Sequence, residues 1–279
     1  MRSSKTILMA IGGGEMREAG QILEEITRYL EKKSDPRVAV MTVATNDPAA
    51  AARKYTALFR SLKAKHVDVV DVSVREDSFD EKSLKKIEAA DAIFFTGGDQ
   101  LNITSLLGGS PLHELIQKRS SDGDVLIAGT SAGAAMMSSS MIISGESDAA
   151  PTVSGVEIAP GMNMVPDTVI DSHFSERGRH GRLLTAVAHS PQVLGLGIDE
   201  RTAMVVRNGE FSVIGQGAVT VVDGSQMEYS DLPYRKNSEA IGMFGVDIHV
   251  LPNGYSYSIK ERKPIAPKLT KMAGANDEE

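Results

Sequence analysis

Val125-Leu126-Ile127-Ala128 runs directly into Gly129-Thr130-Ser131-Ala132-Gly133 and then into Ala134-Ala135-Met136-Met137. The apolar tetrad reads as the end of a buried strand, and the small residues after the turn read as the start of a helix. A serine in such a turn is pushed into an exposed, strained position, where its hydroxyl can meet substrate. The helix N-terminus beyond it can stabilise developing negative charge. A bare G-x-S-x-G is also a common small-residue turn. Strand before and helix after favour a nucleophile, so Ser131 is the candidate, with the Ala132 N–H as an oxyanion donor.

Working outward, short β-branched runs alternate with helix-period segments through the first two-thirds of the chain. Strands are predicted at Thr6–Ile11, Arg37–Ala44, Val67–Val72, Asp91–Phe95 and Asp124–Ala128. Between them Glu15–Lys33 carries Ile22, Leu23, Ile26 and Leu30 on one stripe, and Pro48–Leu62 carries Tyr55, Leu58, Phe59 and Leu62. The pattern predicts an α/β fold, a mostly parallel sheet with helices on both faces. From about residue 190 the runs shorten and alternate, separated by Asn208-Gly209, Asp223-Gly224 and Asn253-Gly254, which predicts antiparallel hairpins extending the same domain. Residues 1–263 therefore read as a single domain, and the proline- and lysine-containing stretch 264–279 as a flexible tail.

The 279 residues are 41% hydrophobic and 24% charged, a soluble globular balance, and no apolar run approaches the ~20 residues that span a bilayer. Met1-Arg2-Ser3-Ser4-Lys5 leads into the first strand without a signal-peptide pattern, so the chain reads as cytoplasmic. A net charge of −7 gives no basic field for nucleic acid. Cysteine is absent, which leaves oxygen or nitrogen nucleophiles and excludes thiolate metal sites.

A serine hydroxyl needs a base, and the base needs an orienting group. Of six histidines, His173 directly follows the strand-like Thr168-Val169-Ile170-Asp171 and sits among polar residues, Ser172 to Arg179. Open parallel sheets gather their sites at the carboxyl ends of strands, which selects His173 as base. His66, His113, His180, His189 and His249 read as structural or surface residues. No metal or cofactor site follows from their spacing. Glu146, after the strand-like Met141-Ile142-Ile143, is the candidate acid, with Asp148 in reserve.

Phe94-Phe95-Thr96-Gly97-Gly98-Asp99-Gln100 is a second strand ending in a glycine turn, where the Gly98 backbone could offer another oxyanion donor. Arg177, Arg179 and Arg182, close after His173, suggest bidentate recognition of carboxylates or loop-fixing ion pairs. Ile11-Gly12-Gly13-Gly14-Glu15 lacks the last glycine of a dinucleotide loop, because Arg17 stands there. It reads as a turn near the active edge of the sheet.

The strings 94–100, 129–134, Ile170-Asp171-Ser172-His173-Phe174 with 177–183, and Gly197-Ile198-Asp199-Glu200-Arg201-Thr202-Ala203 together resemble the cyanophycinases. These stand with peptidase E among serine peptidases whose fold is similar to the class I glutamine amidotransferases, a flavodoxin-like arrangement. The resemblance runs in order from the glycine loop near residue 12 to about residue 222. It implies a cytoplasmic, dimeric serine hydrolase that degrades cyanophycin, a poly-aspartate with arginine on each side-chain carboxyl, to β-aspartyl-arginine dipeptides. By position it implies Ser131 as nucleophile, His173 as base and Glu146 as acid, with Gln100, Asp171, Arg177, Arg179 and Arg182 lining the substrate pocket.

One position departs from the family, whose Asp-Gln-His-Phe stands here as Asp171-Ser172-His173-Phe174. The exchange removes a long amide, and its hydrogen bonds, from a pocket wall. Asp199 and Glu200 match the family but read from sequence only as turn-forming or loop-anchoring residues. The rival readings are an aspartyl dipeptidase of the peptidase E kind and a non-catalytic protein holding acidic peptides. An α/β-hydrolase esterase is a further one, ranked lower because His173 follows Ser131 too soon for that fold's later strands.

Overall fold

The computed structural model describes residues 6–14, 18, 20–147 and 150–267. Its first half alternates strands and helices, with two helices before β5: β1 (Ile7–Ile11), α1 (Gly20–Leu30), β2 (Arg37–Met41), α2 (Pro48–Ser61), β3 (His66–Val70), α3 (Glu81–Ala89), β4 (Ala92–Phe95), α4 (Gln100–Leu107), α5 (Pro111–Asp122) and β5 (Leu126–Thr130). There follow α6 (Ala132–Ala135), β6 (Ser138–Gly145), β7 (Val156–Pro160), β8 (Val165–Ser172), α7 (His180–His189), β9 (Leu194–Ile198), β10 (Thr202–Arg207), β11 (Glu210–Gly215) and β12 (Ala218–Asp223). The chain continues through β13 (Tyr229–Ser230), β14 (Met243–Phe244), β15 (Asp247–Pro252), β16 (Ser256–Ser258) and β17 (Lys263–Ile265).

Short polar caps start the helices where the sequence places them. Asp47 accepts the Ala50 N–H at 2.9 Å ahead of Pro48, and Ser110 accepts the His113 N–H at 3.2 Å ahead of Pro111. The strands they connect are apolar on both sides because both faces of the sheet are covered. β1, β5, β4, β2 and β3 pair in parallel, and β10, β11, β16 and β17 extend that sheet antiparallel from β1.

The α/β class is as the sequence predicts, but the later strands do not all join one sheet. β15, β12, β9, β8, β6 and β7 form a second, six-stranded mixed sheet, and β13 and β14 form a separate two-stranded one. Alternation shows that a strand has a face to bury and says nothing of its partner. Pro264 and Ile265, which the sequence assigns to the tail, lie in a strand that pairs with β16, and residues 268–279 lie outside the described residues. The first helix is observed as Gly20–Leu30, and residues 15–17 and 19 of its predicted range are likewise outside them.

Three apolar clusters define the layers. α1 and α2 cover one face of the first sheet, through Ile22, Ile26, Tyr55 and Phe59 against Val38, Phe94 and Ala128. On the other face Ile87, Ile103 and Ile116 of α3 to α5, and Met141, Ile170 and Leu196 of the second sheet, bury Met41, Ile93 and Phe95. Leu183 and Val187 of α7 then cover the outside of the second sheet against Val169 and Val222. The carboxyl ends of β1, β4 and β5 therefore meet those of β8 and β9 along one edge.

Candidate active site

Ser131 occupies the single residue between β5 and α6, with φ 54° and ψ −111°. A non-glycine residue in that region costs of order 1–3 kcal/mol and persists only where its surroundings over-determine it. Here the Ser131 N–H donates to the Ile11 carbonyl at 2.9 Å, and its own carbonyl accepts the Ala134 and Ala135 N–H groups. Gly129 is needed for the same turn, since a Cβ there would lie 2.1 Å from the Gly133 carbonyl oxygen.

His173 follows β8 with φ 49°, its N–H donating to the Gly12 carbonyl at 2.7 Å. The two anchors are adjacent in sequence, so the Ile11-Gly12-Gly13 loop holds both strained residues in register. Across it the His173 Nε2 lies 3.0 Å from the Ser131 Oγ, and the Nδ1 lies 2.6 Å from the Glu200 Oε1. The imidazole thus bridges a hydroxyl and a carboxylate. The tautomer with the proton on Nδ1 satisfies the carboxylate and leaves Nε2 able to accept the hydroxyl proton.

The acid against His173 is Glu200, and Glu146 is not. β8 has β9 on one side and β6 on the other, and Ser172 pairs with Ile198, so the turn after β9 emerges beside His173. Glu146 follows β6 on the opposite side and lies exposed on the rim, in a surface groove with Ser144, Thr152 and Glu157. Asp148 lies outside the described residues. The Glu200 N–H donates to both Glu176 carboxylate oxygens at 3.1 Å, which fixes the turn from the His173 side. Asp199 anchors it from within, accepting the Ser175 N–H at 3.1 Å and the Ala218 N–H at 3.0 Å. The sequence string 197–203 held this acid, but nothing local distinguished it from a loop anchor.

Gly97 lies against the nucleophile, where a Cβ would stand 3.4 Å from the Ser131 Cβ and 4.0 Å from its Oγ. The Gly97–Gly98 amide and the Ala132 N–H therefore flank Ser131.

Gln100 and the polar residues around His173 are mostly engaged with the protein itself. The Gln100 side-chain amide donates to the Ile142 carbonyl at 2.5 Å. Asp171 is buried and accepts Arg182 bidentately, with Nε at 2.6 Å, and Arg179 at 3.2 Å. Arg179 also donates to the Ser172 carbonyl at 2.5 Å, and burial, only partly offset by Asp171, pushes its guanidinium down to about 10. Arg182 and Ser172 are buried, while Arg177 is exposed on the turn after His173. Arg182 and Asp171 thus form an internal ion pair, where the sequence predicts pocket-lining residues. Three charges closely spaced in the sequence do not reveal which of them folding will bury.

The cavity that opens on Ser131 and His173 holds about 330 Å³ and is lined on its far side by Thr45, Asp47, Lys54 and Tyr55. Sequence reasoning did not single out Asp47 or Lys54 as site residues. Among the described residues no helix is long and apolar enough to cross a membrane.

The model of Peptidase family S51 matches residues 8–214. The chain is 35% identical over 267 residues to the cyanophycinase of Geminocystis herdmanii, covering 95% of this chain and 97% of that one. It is 34% identical over 265 residues to that of Trichormus variabilis, covering 94% and 88%. Among solved structures, a peptidase from an acI-B1 Actinobacterium superposes with TM-score 0.66 at 18% identity, covering 91% of this chain and 96% of that one. A putative peptidase E protein from Listeria monocytogenes gives 0.51 at 17%, covering 77% and 100%. At such identities these two structures speak for the fold alone. The family match, spanning the serine turn, the His173 loop and the Glu200 turn, and the relatives matched over nearly their whole length establish that the chain belongs to peptidase family S51.

Proposed function

We propose that this chain is a serine exopeptidase that hydrolyses cyanophycin to β-aspartyl-arginine dipeptides through an acyl-enzyme on Ser131. The observation that carries the reading is the imidazole of His173, hydrogen-bonded at once to the Ser131 hydroxyl and the Glu200 carboxylate. The substrate comes from relatives named cyanophycinase that match along nearly the whole chain.

In the proposed mechanism His173, oriented by Glu200, takes the Ser131 proton as the oxygen attacks a backbone carbonyl of the polymer. The N–H groups of Gly98 and Ala132 receive the oxyanion, and His173 then protonates the departing amine. Water, deprotonated by the same imidazole, releases the acyl group. Neither carboxylate nor serine changes its net protonation over the cycle. We propose the cytoplasm as its place of action and a homodimer as its working form. The exposed Ile248 and Val250 of the edge strand β15 offer apolar surface that such pairing would cover.

Mass spectrometry of the products, after incubation of insoluble cyanophycin with the wild type and with Ser131→Ala, tests the reading. Dipeptide release by the wild type alone is expected. Full activity in Ser131→Ala would overturn the nucleophile, and silence from a folded wild type would overturn the substrate.

A further inference from the structure

The cavity at the nucleophile has a polar wall on the face of the first sheet that α2 covers. On the side of the second sheet, Gln100 reaches Ile142 of β6, and Asp171 of β8 is engaged in its internal pair with Arg179 and Arg182. Asp47 and Lys54 belong to α2, whose Tyr55 and Phe59 pack on Phe94 from the opposite face. A peptidase that removes a unit from a polymer must hold chain on both sides of the scissile carbonyl, because correct placement of the reacting atoms supplies much of its rate. The α2 wall is the side to which no role has been given.

Its chemistry is specific. Asp47 is the N-cap of α2 and Lys54 stands two turns further along, about 10 Å of helix axis. Both are exposed, both line the cavity with Ser131, and the Lys54 Nζ lies 5.7 Å from the centre of the Tyr55 ring. One cation and one anion thus stand on the same wall of the cavity. In cyanophycin each aspartate side chain is amide-linked to the arginine amino group. Every unit therefore carries one free carboxylate and one guanidinium, both on the arginine.

We propose that the α2 wall is a subsite for the arginyl side chain of the unit next to the scissile bond, with Lys54 receiving its α-carboxylate and Asp47 its guanidinium. The inference rests on the cyanophycin reading and goes beyond it by assigning a second recognition surface. Opposite charges on one wall select for the orientation of the arginine as well as its presence. A chain of bare aspartates, by contrast, would set its carboxylates against Asp47.

Steady-state kinetics on two soluble oligomers of β-aspartyl-arginine test this, one with free arginine carboxylates and one with those carboxylates converted to carboxamides. The wild type should show a KM about fivefold higher on the carboxamide, the scale of a partly exposed charge pair. Lys54→Met should raise KM about fivefold on the acid oligomer with kcat held, and bring the ratio between the two oligomers close to one. Lys54→Arg should restore most of the difference. Asp47→Asn, which keeps a capping oxygen, should raise KM on both oligomers alike. A wild type that does not distinguish the two oligomers overturns the subsite, as does a Lys54→Met variant that keeps their ratio. A wild type inert on both overturns the cyanophycin reading and the subsite with it.

Discussion

The Glu200 Oε1 stands 2.6 Å from the His173 Nδ1, although the two residues lie on different turns that meet only because β8 and β9 are neighbours. A carboxylate in that position holds the imidazole in the tautomer that can accept a proton at Nε2, and stabilises the imidazolium formed during attack. Glu200→Gln should leave the fold intact and lower kcat by as much as ~10⁴, because an amide can present its N–H to the ring and select the wrong tautomer. Glu146→Gln should stay within about twofold of the wild type, as expected for an exposed side chain outside the site. Measuring kcat for both variants on cyanophycin distinguishes them, and a larger loss in Glu146→Gln would reverse the assignment.

Gly13 lies close against the His173 ring. With φ +105°, an added Cβ would stand 2.2 Å from the His173 Cε1 and 2.5 Å from its Nε2. Gly13→Ala must therefore strain its own backbone and push the imidazole off the Ser131 hydroxyl. The expected stability loss is about 1 kcal/mol, while a shift approaching 1 Å at the ring should lower kcat about 10²-fold. A thermal melt and a rate measurement on the same sample test the claim, which fails if both fall in proportion to unfolding.

Asp171 and Arg182 are a buried pair under the His173 loop, with relative exposures of 2% and 8%. Arg182→Met leaves the carboxylate with Arg179 alone, and breaking one side of a buried pair costs about 3 kcal/mol. Asp171→Asn in the Arg182→Met background should recover part of that, since the stranded charge is then gone. Urea unfolding of the single and double variants measures both. Equal stability of the two would mean that the carboxylate is already satisfied by Arg179 and the loop.

The legible parts of this chain were those set by local sterics. The Ser131 turn is written in Gly129 and in the apolar residues before it, and the parallel strands are written in runs such as Arg37–Met41 that are apolar on both faces. Glu200 was not legible because its partnership with His173 depends on the pairing of Ser172 with Ile198, a contact between distant segments. The second sheet escaped for the same reason: Val193–Ile198 and Ala203–Arg207 have the same texture, yet β9 and β10 join different sheets. Burial of Arg182 was hidden because a charged residue on a helix carries no local sign of which face will be covered.

His113 supplies a prediction about pH that is independent of catalysis. It lies on α5, where its Nδ1 accepts the Gly109 N–H at 3.0 Å, and burial lowers its pKa from the ordinary 6.5. The folded state therefore favours the neutral ring, and protonation would remove the acceptor that holds the Gly109 turn. Because the unfolded chain takes up the proton at higher pH than the folded one, the stabilisation is fully present above pH 6.5 and is lost as pH falls through the lowered folded value. Urea midpoints of the wild type should decline across that window. His113→Gln, which cannot titrate, should show a shallower decline. Identical slopes for the two proteins would assign the acid sensitivity to other groups.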